Sequence, residues 1–269
     1  MKMKNLSLLL LTLTLLFISV CSQVQQTQFV YRWPETYCEK ATPTVACTKI
    51  PLQFTLVGFW GTDSSGGIQQ GCQDTGKYDW AKVFTTETAN KLTAFWPSLS
   101  TQDPTEMWKA AWTTYGTCLI SKFKTPTQYF NRAIRLSDAI GGGNLFQGQL
   151  IGKDGIVPCD SATYTNAEIL KSLTAVTTVN NQKEKKVSFT CNSIYSTHAY
   201  LNQVTFCYTN NAQYYTDCPT TVISKRCNVP NIIVPRPPTP TARASSLQDL
   251  LTGEKIGPNV LWETLGQLF

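Results

Sequence analysis

Apolar residues recur along the chain with two periods. Phe54-Thr55-Leu56-Val57-Gly58-Phe59 is a short apolar run rich in β-branched and aromatic residues, which predicts a buried strand. The following stretch, Gly61 to Gly71, carries Asp63-Ser64-Ser65-Gly66-Gly67 and reads as a loop. From Tyr78 to Phe95 the apolar positions Trp80, Val83, Phe84, Leu92 and Phe95 suit one helix, stopped by Pro97. Pro104 to Tyr115 reads as a second helix, with Trp108, Ala111, Trp112 and Tyr115 on one face. A third starts at Pro126, carries Tyr129, Phe130, Ala133, Ile134 and Leu136, and ends before Gly141-Gly142-Gly143. Thr165 to Leu173 reads as a short fourth helix. Val187–Cys191 and Leu201–Tyr208 alternate as strands do. Helices in the middle and strands towards both ends predict an α+β fold.

The two ends differ from this texture. Lys2 and Lys4 precede an apolar run from Leu6 to Val20, followed by Cys21, Ser22 and a Gln-rich stretch. A basic start, a short apolar core and a small residue at the cut describe a secretory signal peptide over residues 1–22. The run is short for a membrane span, so no transmembrane segment is expected once it is removed. Pro235-Arg236-Pro237-Pro238-Thr239-Pro240 reads as an extended linker. Beyond it, Leu247, Leu250 and Leu251, then Leu261, Leu265 and Leu268, suit two short apolar helix faces. The domain between these ends is expected to span residues 23–234, and residues 235–269 form a Pro-rich linker with an apolar extension.

Composition narrows the chemistry. The chain has 269 residues, 42% apolar and 15% charged, which excludes a disordered or multi-span membrane protein. It carries 23 basic and 17 acidic residues, and losing Lys2 and Lys4 leaves the mature charge at +4. That balance permits an acidic partner without demanding one, since Lys183-Glu184-Lys185-Lys186 is the only basic run. No DNA partner is expected. Nine of the ten cysteines follow the signal, and an oxidising compartment reads them as disulfides. Zinc fits poorly: no C-x-x-C pair occurs, and the single histidine, His198, has no ligand-spaced cysteine beside it. No metal and no cofactor are expected. An odd cysteine count leaves one thiol free or paired between chains.

Several segments together resemble the ribonuclease T2 family. Phe54-Thr55-Leu56-Val57-Gly58-Phe59-Trp60-Gly61 and Trp112-Thr113-Thr114-Tyr115-Gly116-Thr117-Cys118 are similar to its two active-site segments, F-T-x-H-G-L-W-P and H-E-W-x-K-H-G-T-C. Arg32-Trp33-Pro34 with Tyr37-Cys38 resembles its opening Q-W-P…Y-C strand, and Gly71-Cys72 with Tyr78-Asp79 its N-C…Y-D segment. Tyr164-Thr165 resembles the segment before a late helix. Cys191, Val204-Thr205-Phe206-Cys207, Cys218-Pro219 and Cys227 resemble its C-terminal cysteine pattern. The pieces fall in the family's order from about residue 28 to 234, and plant secreted members, including self-incompatibility ribonucleases, are closest in texture. The resemblance implies a central antiparallel sheet packed with helices and stapled by four disulfides. Those are Cys38–Cys47, Cys72–Cys118, Cys191–Cys227 and Cys207–Cys218. Cys159 has no counterpart and is the candidate free thiol, with a disulfide-linked dimer as one use of it.

The resemblance also implies a chemistry that this chain has lost. The family cleaves RNA through attack of the ribose 2′-hydroxyl on the adjacent phosphorus. One side chain takes that proton, a second protonates the leaving 5′ oxygen, and a cation steadies the phosphate. Imidazoles suit the proton transfers because they titrate near working pH. Here the family's histidine of the first segment is Val57, and the two residues opening the second are Ala110 and Ala111. Its lysine is Thr114 and its last histidine Tyr115. Valine and alanine hold no titratable proton, threonine no charge, and an ordinary tyrosine releases its proton only near pH 10. Each lost acid or base costs about 10²–10⁴-fold.

What survives is scaffold and a possible groove. Trp33, Trp60, Trp108 and Trp112 match the family, and core packing is the default reading for large aromatics. Arg32, Trp60, Met107 and Trp108 are the candidates to line a retained RNA-binding groove, with Arg32 and Met107 standing where the family has glutamine and phenylalanine. The expected function is a catalytically inactive T2-fold protein, a pseudoenzyme in the extracellular space or a plant vacuole. It would act by binding RNA or carbohydrate, or as a storage or defence protein. The alternatives are an RNA-binding module without cleavage, and a weak endoribonuclease using Tyr115 with His198.

Overall fold

The computed structural model describes residues 23–40, 47–141, 155–177, 186–192, 197–223, 227 and 229–237. The segments read as signal peptide and apolar extension lie outside these residues, as do Lys183 to Lys185 and the end of the linker. Among the described residues, no helix is long and apolar enough to cross a membrane.

Strands β1 (Gln26–Arg32) and β2 (Thr55–Thr62) pair antiparallel. β1 pairs on its other edge with β4 (His198–Thr209), which in turn pairs with β3 (Ser188–Asn192). The sheet order is β2-β1-β4-β3. β4 is 12 residues long and outruns β1. A short parallel strand, β5 (Asn231–Ile233), pairs with the overhang at His198–Tyr200. At three residues, β5 is too short to leave a periodic signal in the sequence.

The helices start where capping chemistry allows. After Trp33, Pro34 opens α1 (Pro34–Glu39), so the segment read as an opening strand ends at Arg32. The single helix expected over Tyr78–Phe95 is two, α2 (Trp80–Val83) and α3 (Thr86–Phe95). Thr85 breaks it: its side chain accepts from the Thr88 N–H and caps α3. Asp103 caps α4 (Pro104–Thr114) through the Thr105 N–H, and Thr125 caps α5 (Pro126–Ala139) through the Gln128 N–H. Both have proline in the first turn, where its missing N–H costs nothing. α6 (Asn166–Thr177) runs a turn past the expected Leu173, and α7 (Thr220–Ile223) is a single turn.

An aromatic seam joins helices to sheet. Phe59 of β2 stacks on Tyr129 of α5 with ring centroids 5.2 Å apart, and Tyr129 meets Trp112 of α4 edge-on at 5.6 Å. The polar tips are used rather than stranded. The Tyr129 hydroxyl donates to the Phe59 carbonyl at 2.6 Å, and the Trp108 indole N–H to the Trp96 carbonyl at 3.0 Å. Four disulfides pair Cys38–Cys47, Cys72–Cys118, Cys191–Cys227 and Cys207–Cys218. Each constrains the unfolded chain by about 2–4 kcal/mol. Cys159 is a free cysteine. Its thiol lies 3.3 Å from the Ser161 hydroxyl, and that hydrogen bond holds its pKa below the usual thiol value.

Candidate functional site

β1 and β2 fall out of simple register in one place. Val30 pairs with Gly58 and Tyr31 with Leu56, which leaves Val57 as the extra residue of a β-bulge. A bulge turns a side chain out of the regular alternation. Here it delivers Val57 to a cleft of about 190 Å³. Arg32 and Tyr37 line one wall, Met107 of α4 another, and Ser98, Ser100 and Gln102 the rim. Two links steady that rim: the Cys38–Cys47 bridge, and the Thr48 N–H donating to the Leu99 carbonyl at 2.9 Å.

Among the described residues, Arg32 is the only charged one in the cleft lining. Its guanidinium carbon sits 3.7 Å from the centre of the Tyr37 ring, a cation–π contact. Its Nε is buried and makes no hydrogen bond among the described residues. Burial pulls its pKa below the usual arginine value, and Tyr37 pulls it back up. Arginine stays charged under such a shift, so the cleft presents a partly desolvated cation.

α4 carries further positions that the sequence resemblance singles out. Met107, Ala110, Ala111 and Thr114 are spaced i, i+3, i+4 and i+7, so they share one side of the helix. Ala110 is exposed, whereas Ala111 is 9% exposed and borders the core. Tyr115 follows at the C-terminal cap and packs on Trp60, centroids 5.2 Å apart. Cys118, four residues beyond the end of α4, is bonded to Cys72, and the Gly71 N–H donates to the Thr114 carbonyl at 2.8 Å. The loop and the end of α4 are thereby held together. Gly58 is required beneath this contact, because a Cβ there would meet the Trp60 ring at 2.5 Å.

This architecture is a known one. The ribonuclease T2 family model matches residues 24–218. The chain belongs to the ribonuclease T2 family. It is 24% identical to extracellular ribonuclease LE of Solanum lycopersicum over 222 residues, 79% of this chain and 88% of that protein. It is 26% identical to ribonuclease 3 of Arabidopsis thaliana over 195 residues, 71% and 81% of the two chains. The fold is similar to that of the Nicotiana alata self-incompatibility associated SF11-RNase. The TM-score is 0.64 at 23% identity, covering 79% of this chain and all of that one. Human RNase T2 superposes with a TM-score of 0.58 at 23% identity, covering 80% and 100%.

Within this T2 fold, the structure brings Arg32, Val57 and Met107 to one cleft. It does not bring Trp60 and Trp108 there. Trp108 is 1% exposed with its N–H bonded to Trp96, and Trp60 is 7% exposed with its N–H given to Gln28 at 3.0 Å. Both are core residues, because a large ring next to a sheet is removed from water most completely when it faces inward. His198 is equally remote. It lies six residues along β4 from Val204, which pairs with Tyr31 and so with Leu56. At strand rise this is about 20 Å. Tyr37 and the Ser98–Gln102 rim are cleft residues that sequence reasoning missed. The sole signal was the position of Tyr37 beside Cys38 in the family-like opening segment.

Proposed function

We propose that this ribonuclease T2 family protein is a pseudoenzyme that uses its substrate cleft to bind RNA or nucleotides without cleaving them. The observation that carries this reading is a cleft that Val57, a side chain with no proton to move, enters through a β-bulge beside Arg32 and Met107. Val57 offers methyl groups where a general base would act. Ala110 and Ala111 offer one methyl each, and Thr114 has no charge with which to steady phosphate. Tyr115 spends its ring on Trp60. The weak-endoribonuclease alternative needs Tyr115 and His198 to act together. Tyr115 packs on Trp60, whose row of the sheet runs through Gln28 to Cys207, nine residues along β4 from His198. At strand rise that is about 30 Å, which argues against a direct proton relay, since general acid–base catalysis works within hydrogen-bond reach.

Binding chemistry supports the same conclusion. Arg32 stacked on Tyr37 supplies a cation and a flat face, both suited to a nucleotide. The N-terminal pattern supports a secretory route, and the family resemblance an extracellular or vacuolar end point; a storage or defence role, carbohydrate binding or a Cys159-linked dimer are the competing uses of the fold.

The test is RNA cleavage by the purified, disulfide-intact protein across about pH 4–8, the range bracketing carboxylate and imidazole titration, beside an active relative. Cleavage at background, with RNA retained on the protein and lost in Arg32→Ala, is the expected result. Cleavage that copurifies with the protein would overturn the reading. Retention on a sugar column with no RNA binding would move it to carbohydrate.

A further inference from the structure

A second cleft, of about 520 Å³, lies against α5 and away from the one described above. Gln128, Asn131, Arg132 and Arg135 occupy i, i+3, i+4 and i+7 on α5 and form one wall. Lys122 and Phe123 come from the turn before the helix. Asn211 and Gln213 come from the turn that follows β4. Among the described residues, the lining holds three cations and no acid. Among the described residues, none of Lys122, Arg132 and Arg135 forms an ion pair.

The amides explain what the cations are for. Gln128 Oε1 accepts the Lys124 backbone N–H at 2.9 Å. Asn211 Oδ1 accepts the Gln213 backbone N–H at 3.2 Å. That contact turns the Asn211 amino group to Gln213 Oε1, 2.9 Å away. A backbone N–H can only donate, so it settles which end of each amide is oxygen. Three carbonyl ends are therefore taken up within the protein. The amino groups of Gln128 and Gln213 remain to donate, beside two guanidiniums and an ammonium. The cleft is rich in donors and has spent these acceptors, the complement of an oxyanion.

The two arginines are also placed at a cost. Arg132 lies 6.0 Å from the centre of the buried Phe123 ring, and burial and the like charge of Arg135 both lower its pKa. Residues i and i+3 on a helix stand about 5–6 Å apart at Cβ. That spacing suits one multi-oxygen group gripped by both side chains, and an anion between them would relieve the repulsion.

We propose that the α5 cleft is an anion site for a phosphate group, gripped by Arg132 and Arg135, with Lys122 and the Gln128 and Gln213 amino groups around it. Phosphate is the shared chemistry of two sources, a small phosphorylated ligand and the backbone of single-stranded RNA. The site is distinct from the β2 cleft, with which it shares no lining residue.

The experiment titrates the disulfide-intact protein at low salt with inorganic pyrophosphate, then with a labelled oligouridylate. The expected result is that Arg132→Gln with Arg135→Gln weakens pyrophosphate binding at least about tenfold and lowers the salt slope by about one per arginine removed. Lys77→Gln with Lys171→Gln, both exposed, removes the same charge elsewhere and leaves binding unchanged. Gln213→Glu, at an exposed turn, weakens binding without touching the core and guards against misfolding of the double variant. Loss of oligouridylate binding in the same variants assigns the site to an RNA backbone; loss with pyrophosphate alone assigns it to a small ligand. Absence of pyrophosphate binding to the unaltered protein overturns the proposal. So does equal binding by the arginine variant, or equal weakening by the lysine control.

Discussion

The two sides of α4 obey different rules. On the inner side, Trp108 and Trp112 are each 1% exposed. Their indole N–H groups reach Trp96 and Asp74. On the outer side, Ala110 is exposed, while Met107 and Thr114 are partly exposed, Met107 resting against the edge of the core. Trp108 and Trp112 resemble the T2 family's segment in sequence, whereas Met107, Ala110 and Thr114, and Ala111 at the edge of the core, differ from it. Burial demands volume, shape and a hydrogen-bond partner for each polar tip, and a change there is felt at once. An outward position is demanded only by the chemistry it performs. When that chemistry is not used, the position can change with little effect on the fold.

The strongest way to break this contrast is Trp112→Ala. It empties a site between Tyr78 and Tyr129 and is expected to cost about 3–5 kcal/mol, read as a lower urea midpoint at constant slope. Next comes the bridge that anchors the end of the helix. Cys72→Ala with Cys118→Ala opens a 46-residue loop and should cost about 2–4 kcal/mol in the same measurement. Tyr129→Phe is subtler. It keeps the ring and removes one donor, leaving the Phe59 carbonyl without that bond, for about 1–3 kcal/mol.

The outer side should respond very differently. Ala110→His with Thr114→Lys is expected to move stability by no more than about 0.5 kcal/mol, checked by thermal melting. A large loss would show that the outer side is also bound by packing. The smallest effect concerns acid. The Asp103 side chain accepts hydrogen bonds from the Thr105 hydroxyl and N–H, which hold its pKa below the ordinary aspartate value. A folded pKa below the unfolded one means that its contribution is present above about pH 4 and fades as pH falls through the folded value. Asp103→Asn should remove that increment of acid sensitivity while leaving the cleft side of α4 unchanged.

The legible parts of this fold were those with a period or a punctuation mark. α4 and α5 stand close to their expected bounds because helical stripes and Pro104 and Pro126 agree. β2 was legible from its apolar run but continues through Thr62, into the stretch read as a loop. The run from Tyr78 to Phe95 was misread because a lone threonine cap is weaker punctuation than the apolar residues around it. Trp60 and Trp108 were groove candidates only because a tryptophan suits a core and a binding face equally well in sequence.

By itself, the sequence determined which side chains the chain can offer to any site. It holds one histidine, His198, and carries Val57, Ala110, Ala111, Thr114 and Tyr115 in the segments that resemble the family's; where His198 would sit was left to the fold. It determined the α+β class as well, since periodicity is local. The tertiary structure alone decided which side chains meet. Arg32 at the end of β1 meets Tyr37 of α1 because the chain turns sharply at Trp33-Pro34, and Val57 enters the cleft through a bulge that only strand pairing creates. Arg132 shares a cleft with Gln213, 81 positions later in the chain, because β4 returns that turn to α5. A donor without a partner is visible only when all the groups that might have satisfied it have been placed, and placement is a property of the folded chain.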